Sequence, residues 1–266
     1  MSAANNHPAK NTPAFTLYTF AMSHYSEKIR WTLDVAKVPY QEQCLSPVFH
    51  MSRALRLGKR GQTTLPVLQT PEVSIQDSPR ILDWLSAKHL IDVLLPAAQI
   101  DEARAIEQRF NAIGKDVARL LYARSFGKAD AHIVKLWTDH ASPAQALFIK
   151  LGYPLIRWGF RQKLRINEKS AQRAEQRIEA EVRWLDERLK DGRTFLVGDR
   201  FSVADITAAA LLAPIACPAE HPVYGDSQYQ QAMKEATAPW QGRPAMVWVL
   251  RMYREHRGPM RGGVKL

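Results

Sequence analysis

Hydrophobic and polar positions change rhythm near residue 90. Before it, short runs of β-branched and aromatic side chains alternate with stretches of helical period. FTLYTF at 15–20 reads as a strand. Ser23 then has the position of a helix cap, Glu27 lies in the first turn, and Ile29, Leu33 and Ala36 share one face until Pro39 stops the helix. YQEQCL at 40–45 predicts a second strand and 48–57 a short basic helix. PVLQ at 66–69 and VSIQ at 73–76, separated by Thr70-Pro71-Glu72, predict an antiparallel pair, and a helix over 79–88 follows.

The order βαβαββα predicts one small mixed sheet flanked by helices, the thioredoxin-like arrangement, over residues 15–90. IDVLLPAAQI at 91–100 reads as a linker, and from 101 to 266 the pattern is helical with no strand. Residues 101–126 form a long amphipathic stretch that accepts Gly114 at a cost of about 1 kcal/mol. At 168–190, Ala171, Ala174, Ile178, Val182, Leu185 and Leu189 mark one buried stripe, ended by Asp191-Gly192. Ser202 and Asp205 make a capping box for a helix whose body, VADITAAALLA, is apolar on every side and so belongs at the centre of a bundle. Further helices are expected near 226–237 and 243–256. The chain thus reads as an α/β N-terminal domain followed by an all-α C-terminal domain, with residues 1–14 as a disordered polar arm.

No stretch offers the ~20 uninterrupted apolar residues that a bilayer-spanning helix needs. The longest, 144–160, is broken by Lys150 and Arg157. The first residues lack the apolar core of a secretory signal, so a cytoplasmic protein is expected. Cys44 and Cys217, the only cysteines, form no CxxC pair, and the eight histidines follow no metal pattern. The reading therefore holds no disulfide and no metal, with both cysteines buried. The net charge of +11 favours anionic partners. Arg157, Arg161, Arg165, Lys169, Arg173 and Arg177 recur at every fourth position and predict a stripe along a helix. Interleaved Glu168, Glu175, Glu179 and Glu181 make a solvated face the preferred reading over a nucleic-acid or membrane surface. GKRGQTT at 58–64 is not a phosphate-binding Walker loop, because a strand and not a helix follows it.

Three short pieces carry candidate chemistry: SHYSEKIR at 23–30, TLPVL at 64–68 and QDSPRIL at 76–82. A fourth, FLVGDRFSVADIT at 195–207, contains the capped helix. In this order and spacing they resemble the glutathione transferase superfamily over residues 15–213. The first piece resembles that family's strand–helix junction, where a Ser, Cys or Tyr addresses the glutathione sulfur. The second resembles its cis-proline turn, the third its acidic-Ser glutamyl motif and the fourth its capped core helix. The resemblance implies a glutathione transferase fold, glutathione as co-substrate, a homodimer and a role in detoxification.

Each piece then has a physical task. A free thiol is only a few per cent thiolate at pH 7, so an enzyme that uses glutathione as nucleophile must favour the thiolate. Ser23, beside unpaired N–H groups and the positive end of a helix, is the first choice for that role, with Tyr25 and Ser26 as alternatives. The bland reading of Ser23 is a plain N-cap. Ser26 is expected to face the helix interior and Tyr25 to pack against the sheet. SHYS falls on the CxxC of thioredoxins with both cysteines replaced, which excludes dithiol chemistry there. A cis bond before Pro66 would leave Leu65 free to pair with the cysteinyl part of glutathione.

Asp77-Ser78-Pro79 is a helix start suited to an anion, with Ser78 for the glutamyl carboxylate and Asp77 for its ammonium. The family more often carries Glu or Gln before this Ser. Lys59, Arg60 and Gln62 are placed to reach the glycyl carboxylate. His24 stands where the family usually has proline. Met22, Phe110, Tyr122 and Trp240 are candidates for an apolar pocket. The activity expected is attack of the glutathione thiolate on an apolar electrophile. The alternative is a non-catalytic protein of the same fold that binds glutathione or other ligands or acts as a scaffold.

Overall fold

The computed structural model describes residues 14–59, 61–259 and 263–264. The arm expected over 1–14 falls, except for Ala14, outside the described residues, as does Arg60. The N-terminal domain follows the expected order: β1 (Phe15–Thr19), α1 (His24–Val35), β2 (Tyr40–Cys44), α2 (His50–Leu57), β3 (Val67–Gln69), β4 (Ser74–Gln76) and α3 (Ser78–Ala87). β1 pairs parallel with β2 and antiparallel with β3, which pairs antiparallel with β4. Leu17, Leu68 and Ile75 belong to the main core, which also holds Ile29 and Leu33 of α1 and Ile81, Leu82 and Leu85 of α3. Tyr18, Leu65 and Val67 join Ala54 of α2 in a second cluster. Adjacent residues of β1 and β3 thus serve opposite faces of the sheet.

The segment read as a linker is two 3-10 turns, Asp92–Leu94 and Ala97–Gln99, and it buries Ile91, Leu94 and Leu95. The helical domain follows with α4 (Ile100–Ser125), α5 (Asp130–Thr138), α6 (Pro143–Lys163), α7 (Glu168–Arg188), α8 (Val203–Ala216), α9 (Ser227–Thr237) and α10 (Pro244–His256). α8 is buried along its whole length and packs against α1, α4 and α10, so one helix joins the two domains through a continuous core. Its N-terminus is fixed by the Asp205 carboxylate, which accepts from the N–H and hydroxyl of Ser202 at 2.9 and 2.8 Å and from the Leu196 N–H at 2.7 Å.

Three expectations need correction. The stretch after 101 is not wholly helical, because β5 (Gly263–Val264) adds to the sheet parallel to β2. The basic stripe is not a single row. α6 stops at Lys163, Arg165 has a left-handed φ of 52°, and Asn167 caps a new helix, so Arg157 and Arg161 lie on α6 while Lys169, Arg173 and Arg177 lie on α7. Both cysteines are half-buried, Cys217 in the left-handed cap of α8.

Candidate functional site

Ser23 is the N-cap of α1, with extended backbone, and its Oγ accepts the Ser26 N–H at 3.2 Å. This uses an oxygen lone pair and leaves the Ser23 hydroxyl hydrogen uncommitted among the described residues. Ser26 is fully buried, and its Oγ accepts from the Phe20 N–H at 3.4 Å. Tyr25 does not lie on the sheet as expected. Its ring crosses to the helical domain, where its hydroxyl donates to the Asn111 carbonyl at 3.0 Å. Burial, with Asp77 nearby, pushes its pKa well up. Gly114 makes this approach possible, since a Cβ on it would overlap the Tyr25 hydroxyl and the Leu211 side chain. The glycine in α4 is therefore a packing requirement and not a tolerated flaw. His24 also turns toward Gly114, with Nε2 2.9 Å from its carbonyl, and burial lowers its pKa to about 4. It is neutral at pH 7, with Nε2–H donating.

Beside the start of α1 opens a cavity of about 380 Å³. Ser23, His24 and Tyr25 line it on one side, with Phe20 and Met22 from the preceding turn. Tyr122 of α4, Trp137 of α5 and Phe160 of α6 form an aromatic wall opposite, with ring centroids 4.6 to 6.3 Å apart. Of the expected pocket residues, Met22 and Tyr122 face this cavity. Phe110 and Trp240 do not. Phe110 is core, edge-on to Trp184, and the buried Trp240 indole donates to Glu179 of α7 at 2.9 Å. Their helical spacing marked a buried stripe and not a ligand site. α5 was invisible as a lining element because a nine-residue helix carries too few turns to set a period.

The Leu65–Pro66 bond is cis, and among the described residues neither the N–H nor the C=O of Leu65 has a partner. The loop before it is held by Gln76, which sequence reasoning did not single out. The buried Gln76 amide accepts the Lys59 N–H at 2.8 Å and donates to the Thr64 and Gln62 carbonyls at 2.8 and 3.3 Å. Lys59 and Gln62 are thus fixed through their backbones with exposed side chains. A buried glutamine at the end of a strand was the available signal.

Asp77 caps α3 with a left-handed φ of 88°, and its carboxylate accepts the Ser78 N–H at 3.1 Å. Ser78 is fully buried and donates to Asn111 Oδ1 at 3.3 Å. Lys28 reaches the same oxygen at 3.3 Å and pairs with buried Glu107. Both donors expected to hold the glutamyl carboxylate are therefore engaged within the protein.

A buried ion network under α1 was also missed. Arg257, after α10, donates to Glu27 at 2.6 Å and to Asp34 at 2.9 Å, while Arg30 donates to Glu42 at 2.6 Å and to Glu27 at 3.3 Å. Burial opposes ionisation of Glu27, but Arg257 and Arg30 more than offset it and hold the pKa low. His221 lies 3.7 Å from Glu27. Its Nδ1 accepts the N–H groups of Val223 and Tyr224 at 3.1 and 3.2 Å, so it is bare, and burial lowers the ring's pKa to about 3. These partners are up to 230 residues apart, beyond any local pattern.

Residues 17–90 match the family model for the N-terminal domain of glutathione S-transferase, and residues 168–216 match that for its C-terminal domain. The chain belongs to the glutathione transferase superfamily. Among solved glutathione transferases, one from Phanerochaete chrysosporium, GSTFuA3, is 16% identical, with a TM-score of 0.60 over 93% of this chain and 99% of that one. One from Methylobacterium radiotolerans, in complex with glutathione sulfonate, is 20% identical, with a TM-score of 0.54 over 89% and 94%. The theta-class transferase from Xanthomonas axonopodis pv. citri, with glutathione bound, is 18% identical, with a TM-score of 0.54 over 94% and 100%. At these identities the likeness is one of fold. No curated protein sequence matches the chain. Ser23 and Asp77 cap the N-termini of α1 and α3, Leu65 lies two residues before β3, and the cavity opens beside Ser23. Among the described residues there is no group of metal-ligating side chains, and no helix is long and apolar enough to cross a membrane.

Proposed function

We propose that this protein is a glutathione-dependent transferase in which Ser23 stabilises the glutathione thiolate and the aromatic cavity holds the electrophile. The observation that carries the reading is the Ser23 hydroxyl, capping α1 with its lone pair while its hydrogen remains available at the cavity wall. The first-turn N–H groups and the positive end of α1 favour a negative sulfur there. Tyr25 is the weaker candidate, because its hydroxyl hydrogen is already donated to Asn111. In the reaction the sulfur forms a bond to an electrophilic carbon, the leaving group departs with its electron pair, and the thiol proton passes to solvent. Proximity of the two reactants and stabilisation of the sulfur charge supply the acceleration. Leu65, with its free backbone groups, would hold the cysteinyl part, Asp77 and Ser78 the glutamyl end, and Lys59 and Gln62 the glycyl end. The same reading takes the protein as a cytoplasmic homodimer.

A second reading, a non-catalytic protein of this fold, is favoured by one observation: the Ser78 hydroxyl and N–H are both occupied by internal partners. Calorimetric titration with glutathione and a conjugation assay together separate the two. Saturable binding that is lost in Ser78→Ala, with turnover by the wild type, supports the transferase, and the same binding without turnover supports the second reading. No heat at millimolar glutathione supports the second reading.

A further inference from the structure

α6 is apolar on two opposite sides. Its inner side, Ile149, Tyr153 and Phe160, packs toward α5 and the cavity. On the outer side Leu147, Phe148, Leu151, Leu155 and Trp158 are 57, 52, 76, 70 and 59% exposed, and at 100° per residue they fall on one continuous arc. No other helix in the described residues exposes such a row; the remaining exposed large apolar side chains occur singly or as the pair Met51 and Leu55 of α2. That pair is a neighbour, because Phe49, just before α2, meets Phe148 edge-on at 5.4 Å. A helix apolar all round is normally covered by something.

The charges around the row indicate what covers it. α6 contains no acidic residue but carries Lys150, Arg157, Arg161 and Lys163, and α2 adds Arg53 and Arg56, again with no acid. Arg157 is paired with Asp130, whereas Lys150, Arg161 and Arg56 have no carboxylate partner among the described residues. A second copy of the chain would bring another set of these cations to the contact and no acidic residue from α6, so like charges would oppose it. The sequence of residues 1–13 has Met1 as its only large apolar side chain and offers no apolar match.

We propose that the outer face of α6, together with the exposed side of α2, docks on the surface of an anionic lipid bilayer. The apolar row enters the boundary between headgroups and acyl chains, with Trp158 at that level, and the flanking cations meet the lipid phosphates. α6 would then separate the bilayer from the aromatic cavity by one helix, a short path for an apolar compound dissolved in lipid.

The test is co-sedimentation of the full chain with vesicles of phosphatidylcholine mixed with phosphatidylglycerol, against vesicles of phosphatidylcholine alone. Binding to the anionic vesicles is expected, with a Trp emission blue shift that Trp158→Phe removes. Leu151→Ser with Leu155→Ser should lower partitioning at least about tenfold. Lys150→Gln with Arg161→Gln should lower it roughly tenfold on anionic vesicles only. Val93→Ser with Val247→Ser, which changes exposed apolar residues elsewhere, should leave it unchanged. Circular dichroism shows that each variant is folded. Absence of binding to anionic vesicles at low salt overturns the proposal. So does binding that survives the leucine changes, or a dimer that those changes dissolve while vesicles are ignored.

Discussion

The hydroxyl of Ser78 donates to the side-chain oxygen of Asn111 at 3.3 Å, so a residue of the helical domain closes the anion-binding start of α3. Glutathione can use Ser78 only by displacing Asn111. Asn111→Ala should therefore tighten glutathione binding several-fold, while Ser78→Ala weakens it, as read by calorimetry. The loss of stability in Asn111→Ala should stay near 1 kcal/mol, since Lys28 keeps Glu107. Weaker binding in Asn111→Ala would make Asn111 a ligand and not a plug.

Gly114 and Tyr25 form a second coupled pair. Gly114→Ala should cost about 1 to 3 kcal/mol in urea unfolding, because the helix and the tyrosine cannot both keep their places. Tyr25→Ala removes the obstructing ring, so the double variant should lose less than the sum of the single ones. Full additivity would show that the two do not meet.

Arg257, in the segment after α10, donates to the carboxylates of both Glu27 and Asp34. Its replacement by Ala leaves both carboxylates buried with fewer counter-charges. A loss of about 3 to 5 kcal/mol is expected in denaturant titration. A loss below 1 kcal/mol would mean that solvent reaches the network.

Acid should destabilise the fold through its buried histidines, although Asp205, whose pKa burial raises to about 6, takes up a proton in the folded state and offsets part of the loss. His24, His50 and His221 are all buried, and burial lowers their pKa values to about 4, about 4 and about 3 in the folded state. The unfolded chain takes up protons near pH 6.5 while the folded one does not. Stability is thus complete above pH 6.5 and falls as the pH is lowered, by about 1.4 kcal/mol per pH unit for each such histidine. Glu27, whose pKa is held low, adds to the loss below pH 4.5. His221→Gln should flatten the slope measured between pH 6 and 5. An unchanged slope would exclude His221 as a contributor.

The sequence was most legible where one element decides its own form. The strands of FTLYTF and PVLQ and the cap at Ser202 each follow from a few adjacent residues, whereas the cis bond at Pro66 was expected from the family resemblance and not from Leu65-Pro66 alone. It was least legible where partners are far apart or periods are short. Asn111 meets Ser78 across 33 positions, Tyr25 crosses to α4, and β5 is two residues long, so none leaves a local pattern. α6 was hidden for another reason: it is apolar on two sides, and its amphipathic period is correspondingly blurred.

The central claim concerns Ser23, and the direct measurement is steady-state conjugation of glutathione to a general aromatic electrophile by the wild type and Ser23→Ala. The account predicts turnover by the wild type and a fall of about a hundredfold in kcat/KM on losing the hydroxyl, with glutathione binding retained. Equal turnover in the two proteins, or none in a wild type that binds glutathione, would contradict it.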